Sequence, residues 1–440
     1  AYLGLGLAED IINTLSQQPE LHVIARTSSF FFHESGSHIA AIKDALNVTF
    51  VVEGSVRRTG DRLRVTAQLI DASNSVQVWS KQFDASINEL GEIRQTITTD
   101  LLASIAPDLP QPAATDDRGD VSASELMLLA RYYEQQVRDH ADVPVEILQK
   151  SIDLYRDAAA AAPDSALAHG RLGRILLYAN DIGAARLAID MALSLNPDLS
   201  EIQETYARYL WLVGADGAGD AWRRAVELNP NNADAISSYG FWFWINESTD
   251  GPADYFRQAM ELDPMTLSRY ADLGSFLGHE ARIAEVEAVI TDVTSRFDSA
   301  ESYRVVARLY DLIGRTDHSI AWILKARSRE PDNASHRGAL AELLIGLGWR
   351  VTGTDITEPS LALRAMTKRG LRFHRGHDAQ FLPTDADVVV HSPAVGPANP
   401  ERRMAHRLSV PVFSYSQMLG WLMANRTGVG IAGTHGKSTT

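Results

Sequence analysis

Ile189-Asp-Met-Ala192-Leu-Ser-Leu-Asn196-Pro197-Asp198 decides the reading of this chain. Ala192 lies five residues before the proline and Ile189 eight before it. The same tail recurs as Tyr155, Ala158 and Pro163, as Trp222, Ala225 and Pro230, as Phe256, Ala259 and Pro264, and as Ile323, Ala326 and Pro331. The prolines are spaced by 34, 33, 34 and 67 residues, and 67 is two periods with one proline missing near Asp298. A small residue with a large one three positions earlier marks one helix face, where another helix comes close. Proline then ends the helix, because it lacks an N–H and fixes φ. The Asp and Asn residues around it (Pro163-Asp164, Asn196-Pro197-Asp198, Asn229-Pro230-Asn231) are expected to supply the turn and the next N-cap.

A 34-residue period of helix pairs resembles the tetratricopeptide (TPR) repeat. No single pair can bury its own apolar face, so neighbours must stack into a superhelix. Residues 125–337 hold about five or six such repeats. The resemblance implies a protein or peptide partner on the superhelix. The aromatic run Tyr239, Phe241, Trp242, Phe243 and Trp244 is read as packing between helices of the array, with one or two rings left as exposed anchors.

Residues 1–106 alternate helix and strand signals. Leu7, Ile11, Ile12 and Leu15 form one apolar helix face within Gly6–Leu15. Leu21–Ala25 reads as a short strand and Ile39–Leu46 as a helix. Phe50–Gly54 and Arg62–Ile70 flank the turn Thr59-Gly60-Asp61, and Leu63, Val65, Ala67 and Leu69 alternate with polar residues, as a half-buried strand requires. Ser75–Phe83 is a third strand and Ile87–Ile105 a closing helix. The unit is a small α/β sandwich without catalytic spacing. Arg57 and Arg58 have the charge to grip an anion, but a solvated hairpin end is the simpler reading. His33 and His38 lack a third partner at metal-ligand spacing and read as surface residues. The stretches GLAEDIINTLS, LHVIARTSSFFF, FVVEGSVRRTGDRLRVTAQLIDA and VWSKQFD resemble the TolB-like domain found beside TPR arrays in bacterial regulators, which implies an accessory, partner-binding role. Residues 107–124, rich in Pro and Asp, form a linker. Ala1 in place of Met, with Tyr2 reading as mid-element, suggests a chain that begins inside an element.

Composition narrows the functional classes. Of 440 residues, 45% are hydrophobic and 22% charged, which excludes wholesale disorder. The absence of Cys excludes disulfides and Cys-bound metals, and favours the cytoplasm. No apolar run approaches the ~20 residues of a membrane span. The net charge of −15 is uneven: residues 338–440 carry 11 Lys+Arg against 7 Asp+Glu, leaving 30 against 49 elsewhere. An acidic majority argues against nucleic-acid binding.

From Ala339 the period stops. Helix signals (Ala339–Leu347, Ser360–Arg369, Arg402–Leu408, Ser416–Ala424) alternate with strand signals (Trp349–Asp355, Asp387–His391, Val410–Phe413, Thr427–Ala432). Strict alternation predicts a doubly wound, Rossmann-like parallel sheet. The last strand runs into Gly433-Thr434-His435-Gly436-Lys437-Ser438-Thr439-Thr440. Glycines there let backbone N–H groups approach phosphate, Lys neutralises its charge and Ser can hold Mg²⁺. The spacing GxxGKS is shorter than the general form, but it follows an apolar strand as the mechanism requires.

The stretches ALAELLIGLGWRVTGTD, GLRFHRGHDAQFL, ADVVVHSPAVGPANPE, VPVFSYSQMLGWLM and GIAGTHGKSTT resemble a Mur ligase, closest to the branch that joins L-alanine to UDP-N-acetylmuramate using ATP and Mg²⁺. The resemblance implies that residues 338–427 form the UDP-sugar domain, with Asp355 and the loop Ser392-Pro393-Ala394-Val395 lining its site. It implies that residues 428–440 open the ATPase domain, with Gly433, Thr434, His435, Gly436, Lys437, Ser438 and Thr439 on the ATP phosphates and Ser438 on the metal. His391 reads as a strand-end core histidine. The family's first strand and phosphate turn are missing, since Glu330–Gly338 belong to the last repeat, and the chain stops two residues after Ser438. The expectation is an interaction chain fused to a Mur ligase segment that does not catalyse ligation. The alternative is an ATP-dependent ligase of peptidoglycan synthesis.

Overall fold

The computed structural model describes residues 2–32, 38–60, 62–86, 89–109, 121–139, 145–246, 251–329, 350–355, 367, 370–391, 395–414 and 417. The chain divides into two compact units, residues 1–285 and 286–440.

The first unit opens with α1 (Tyr2–Leu15), α2 (Arg26–Phe30) and α3 (Ile39–Leu46). A meander of three antiparallel strands follows, β1 (Phe50–Thr59), β2 (Arg62–Asp71) and β3 (Val76–Ser86), closed by α4 (Leu90–Ile105). Gly60 sits in the β1–β2 turn at φ +61°, where a side chain would be strained. The alternation in β2 holds: Leu63, Val65, Ala67 and Leu69 are buried against Leu3, Leu7 and Ile11 of α1 and Ile93, Ile97 and Leu101 of α4. Register follows, with Val56 opposite Val65 and Val65 opposite Phe83, until a bulge between Leu69 and Ile70. The expected strand Leu21–Ala25 is not one. That segment is extended, but its hydrogen bonds run to the repeat helices and not to a sheet. His38 is exposed as expected, and Arg58 of the β-hairpin bonds Glu125 at 2.7 Å.

The repeat array in this unit comprises α5 (Val121–Asp139), α6 (Val145–Ala161), α7 (Ala166–Tyr178), α8 (Ile182–Leu195), α9 (Ser200–Val213), α10 (Ala218–Leu228), α11 (Ala233–Asn246), α12 (Pro252–Leu262) and α13 (Leu267–His279), and α14 (Ile283–Arg296) begins within it. Successive helices pack in pairs, α5 to α10 around one apolar core and α11 with α12 around another. This is the tetratricopeptide arrangement, and the period locates its contacts. Ala158, Ala192, Ala225 and Ala259 are all at 0% exposure, and Tyr155, Ile189, Trp222 and Phe256 are buried beside them. Each helix stops two residues before its proline, because proline disfavours helical backbone at the residue ahead of it. The turn residues divide the work more finely than expected. Asn196 and Asn229 accept from the backbone N–H groups of Asp198 and Asn231, two residues on, as turns need. The N-caps fall later, on Ser165 and Asn232. In the aromatic run, Tyr239, Trp242, Phe243 and Trp244 are half-buried and Phe241 is 42% exposed. Trp242 lies so close to Gly219 that any side chain there would collide with its ring.

The second unit holds the rest of α14, α15 (Ala300–Leu312) and α16 (Thr316–Arg329). Ile323 and Ala326 are buried. The repeat that lacks a proline keeps the pattern with Ile290 and Val293 in the two buried places. Beyond it come β4 (Thr352–Asp355), β5 (Arg372–Arg375), a 3₁₀ turn (Ala379–Phe381), β6 (Val389–His391), α17 (Pro400–Arg407) and β7 (Val412–Ser414). β4 pairs with β5 and β6 with β7, both parallel, as the alternation requires. Among the described residues these are two separate two-stranded sheets, not one. β5 is a strand the sequence reading did not find. β6 is half-buried, and so is His391, which the sequence reading took as a core histidine. The expected helices Ala339–Leu347, Ser360–Arg369 and Ser416–Ala424, and the strand Thr427–Ala432, fall on residues outside the described set, apart from Thr367 and Gln417.

Candidate functional site

The helices α5, α7, α9, α11 and α13 line a groove, and the chain's own N-terminal segment lies in it. Glu9 of α1 is 7% exposed. Its carboxylate is 3.1 Å from Arg171, 3.3 Å from Arg26 and 3.5 Å from Arg131. Asp10 beside it pairs with Arg131 at 2.6 Å and with Arg94 at 3.9 Å. α1 can do this because its two faces differ. Leu3, Leu7, Ile11 and Leu15 face the sheet, which leaves Glu9, Asp10 and Asn13 for the array.

The charges on the groove wall are paired between and within helices. Arg171 of α7 reaches Glu201 of α9 at 3.0 Å, and Arg174 reaches Glu134 of α5 at 2.8 Å. Glu134 also accepts from the buried Tyr155 hydroxyl. Arg208 bonds Glu204 at 2.6 Å, and Arg269 of α13 meets Asp234 and Asp263. Burial by itself pushes the Glu9 carboxyl up. The guanidinium charges of Arg131, Arg171, Arg26 and Arg174 overturn that and hold it well below the usual carboxylate range. Burial first, and then the Glu134 charge, push the Tyr155 hydroxyl up.

After α1 the chain is held largely by its backbone. Asn231 donates from Nδ2 to the carbonyls of Ser16 (2.9 Å) and Gln18 (3.3 Å), and its Oδ1 accepts from the N–H of Val23 (3.2 Å). Asn229 donates to the Ser16 hydroxyl at 2.8 Å. The N–H of Ala25 bonds the Leu262 carbonyl at 2.7 Å, and the buried Ser28 hydroxyl bonds Asp263 at 2.7 Å. Beside these contacts a polar cavity of about 600 Å³ remains, lined among others by Asn13, Arg94, Arg174, Asn196, Asn232 and Asp234.

The second cluster lies at strand ends in the C-terminal unit. Asp355 ends β4, and its carbonyl accepts from Gly376 N–H at 2.8 Å. The neighbouring Thr354 hydroxyl is 3.3 Å from His377 Nδ1, and His377 is 3.2 Å from the largely buried Glu401 of α17. Arg402 donates to the Val395 carbonyl at 2.6 Å. One run of contacts thus ties the end of β4 to the helix that holds Val395. Asp355 and Val395 were named from the sequence. His377, Glu401 and Arg402 were not, although the Gly376-His377 pair straight after β5 was a usable signal. Ser392, Pro393 and Ala394, and all of Gly433, Thr434, His435, Gly436, Lys437, Ser438 and Thr439, lie outside the described residues. Among the described residues no group of His, Asp and Glu is arranged to hold a metal ion, and no helix is long and apolar enough to cross a membrane.

Comparison with known proteins assigns a class to one segment. Residues 333–427 match the Mur ligase family, catalytic domain. The particular relative is the UDP-N-acetylmuramate–L-alanine ligase of Salinibacter ruber, 44% identical over 103 residues, which are 23% of this chain and 21% of that enzyme. A second similarity, 32% over 132 residues, is to the putative adenylate cyclase 3 of Rhizobium meliloti, covering 30% of this chain and 22% of that protein. The chain spans about a fifth of the length of these curated relatives. Among solved structures, TTC0263, a thermophilic TPR protein in Thermus thermophilus, is 20% identical, with a TM-score of 0.35 over 41% of this chain and all of that one. The paired repeat helices are thus joined to a segment similar to part of a Mur ligase.

Proposed function

We propose that this is a protein-interaction chain. In this reading residues 1–106 are a TolB-like domain, 107–124 a linker, 125–337 the TPR array that holds a protein or peptide partner, and 338–440 a Mur ligase segment of the cytoplasm. One observation carries it: the groove of the array grips an extended chain segment through backbone hydrogen bonds from Asn231, a mode of recognition that any polypeptide can satisfy. The test places a photo-crosslinker at Asn196 on the groove wall or at Leu187 on the exposed outer side, in full-length protein inside the cell. Protein adducts concentrated at position 196 support the reading. Adducts at neither position, or equally at both, reject it.

The 44% identity of the C-terminal segment favours a second reading, ATP-dependent joining of L-alanine to UDP-N-acetylmuramate in peptidoglycan synthesis. In it, Asp355 and Ser392–Val395 contact the UDP-sugar, Gly433–Thr439 hold the ATP phosphates, and Ser438 holds Mg²⁺. The C-terminal strand ends are where ligands bind in open parallel sheets, which suits Asp355. ADP release by the purified chain that requires both UDP-N-acetylmuramate and alanine would establish this reading. Its absence, with the chain folded, would reject it.

A further inference from the structure

We infer that the groove of the repeat array is a binding surface for an acidic helix, and that α1 of the chain's own α/β domain occupies it, so that partner and α/β domain exclude one another. This rests on the interaction reading above and names the partner's chemistry.

Three observations carry it. The first is charge. The contact that seats α1 on the array is a pair of adjacent carboxylates, Glu9 and Asp10, set against Arg131 and Arg171 within 3.5 Å, while Arg26, which also pairs with Glu9, belongs to α2 of the same domain. A helix bearing two neighbouring acids satisfies the same guanidinium groups, while a basic or neutral helix leaves Arg131 without the carboxylates it pairs with and Arg171 with Glu201 as its remaining ion pair. The second is tolerance. Downstream of α1 the wall bonds backbone atoms of residues 16–25 more than their side chains, so the sequence that follows the acids is weakly constrained.

The third is separability. The α/β domain and the array have distinct apolar cores; among the described residues Leu128 of α5 joins the first, and Ala25 packs against Ala233, Ile236, Ala259 and Leu262 of α11 and α12. The remaining contacts named above are ion pairs and hydrogen bonds, with a cavity of about 600 Å³ left in the seam. Polar, incompletely packed contacts of this kind characterise interfaces that open, whereas a continuous apolar core would lock them. The covalent tie is the linker, 107–124. The α/β domain leaves as a body, because α1 also supplies Leu3, Leu7, Ile11 and Leu15 to its core.

The probe is a fluorescent peptide with the sequence of residues 2–28. It is titrated against the full chain and against the full chain carrying Glu9→Lys, by anisotropy. The peptide is expected to bind the variant roughly tenfold or more tightly than the wild type, since apparent affinity scales with the fraction of open groove. The same peptide with Glu9→Lys and Asp10→Lys is expected to bind neither. Equal affinity for both chains, no saturable binding to either, or binding that survives charge reversal of the peptide would overturn the inference.

If the Glu9→Lys chain does not fold, a protease site inserted between residues 110 and 120 of the wild type decides the matter. After cleavage the peptide must displace the α/β half from the array, and failure to displace it at saturating concentration overturns the inference. A crosslinked cellular partner that binds wild type and Glu9→Lys alike would leave the interaction reading standing and reject this one.

Discussion

The groove of the repeat array and the strand-end cluster of the C-terminal unit are both polar, yet they are built oppositely. In the groove, Glu9, Arg131, Arg171 and Arg269 are buried and each faces opposite charge from another element. In the C-terminal unit the strands are short and half-buried, and the ion pair Arg350–Asp385 at 2.5 Å is exposed, although Glu401 beside His377 is buried. A buried pair broken on one side strands a charge in low dielectric, whereas an exposed pair is worth at most ~1 kcal/mol. Charge in the groove therefore decides how domains associate. The exposed Arg350–Asp385 pair contributes little to the fold.

The largest effect should come from Glu9→Lys, which places a cation among three arginines and is expected to cost about 3–5 kcal/mol of stability in denaturant unfolding. A loss below about 1 kcal/mol would break the contrast. The pH dependence sharpens it. The Glu9 carboxyl is held below its unfolded value, so its contribution is complete above that value and is lost as pH falls towards the folded one. With an unfolded carboxyl near pH ~4.3, the stability gap between wild type and Glu9→Gln should be full at pH 6–7 and shrink as the pH is lowered below about 5. A gap that stays constant down to pH 3 contradicts the ionic account.

Next in size is Leu101→Ala, which empties a fully buried site under the sheet of the first unit and should cost about 2–5 kcal/mol. Ala225→Leu should cost about 1–3 kcal/mol, because the touching helices must move apart to admit it. The smallest stability effect is expected for Asp355→Ala, within about 0.5 kcal/mol. If the strand ends serve a UDP-sugar, the same variant loses the calorimetric binding signal for UDP-N-acetylmuramate while its melting temperature holds. A variant that melts several degrees lower would make Asp355 structural and erase the difference between the two regions.

Much of this molecule is legible in one dimension. The 34-residue period named the alanines that reach zero exposure, and the alternation of β2 named the residues beneath the sheet. Both patterns are local. Packing repeats with the geometry of the element, so period reveals position. The repeat without a proline also kept its buried Ile290 and Val293, since the apolar face matters more to stacking than the residue that ends the helix. At the strand ends, Asp355 was named only through the resemblance to Mur ligases. His377 and Glu401 were not named, because one follows β5 and the other lies in α17, and only folding brings them together.

Sequence by itself determined the repeat, the meander and the parallel pairing near the C-terminus. Only the tertiary structure decided that the segment 9–28 lies along the groove. Asn231 and Ser16 are 215 residues apart, Arg171 and Glu9 162. No local pattern encodes such a pairing. In a string of letters a buried arginine and a solvated one look alike, and what separates them is the opposite charge that folding brings from a distant part of the chain.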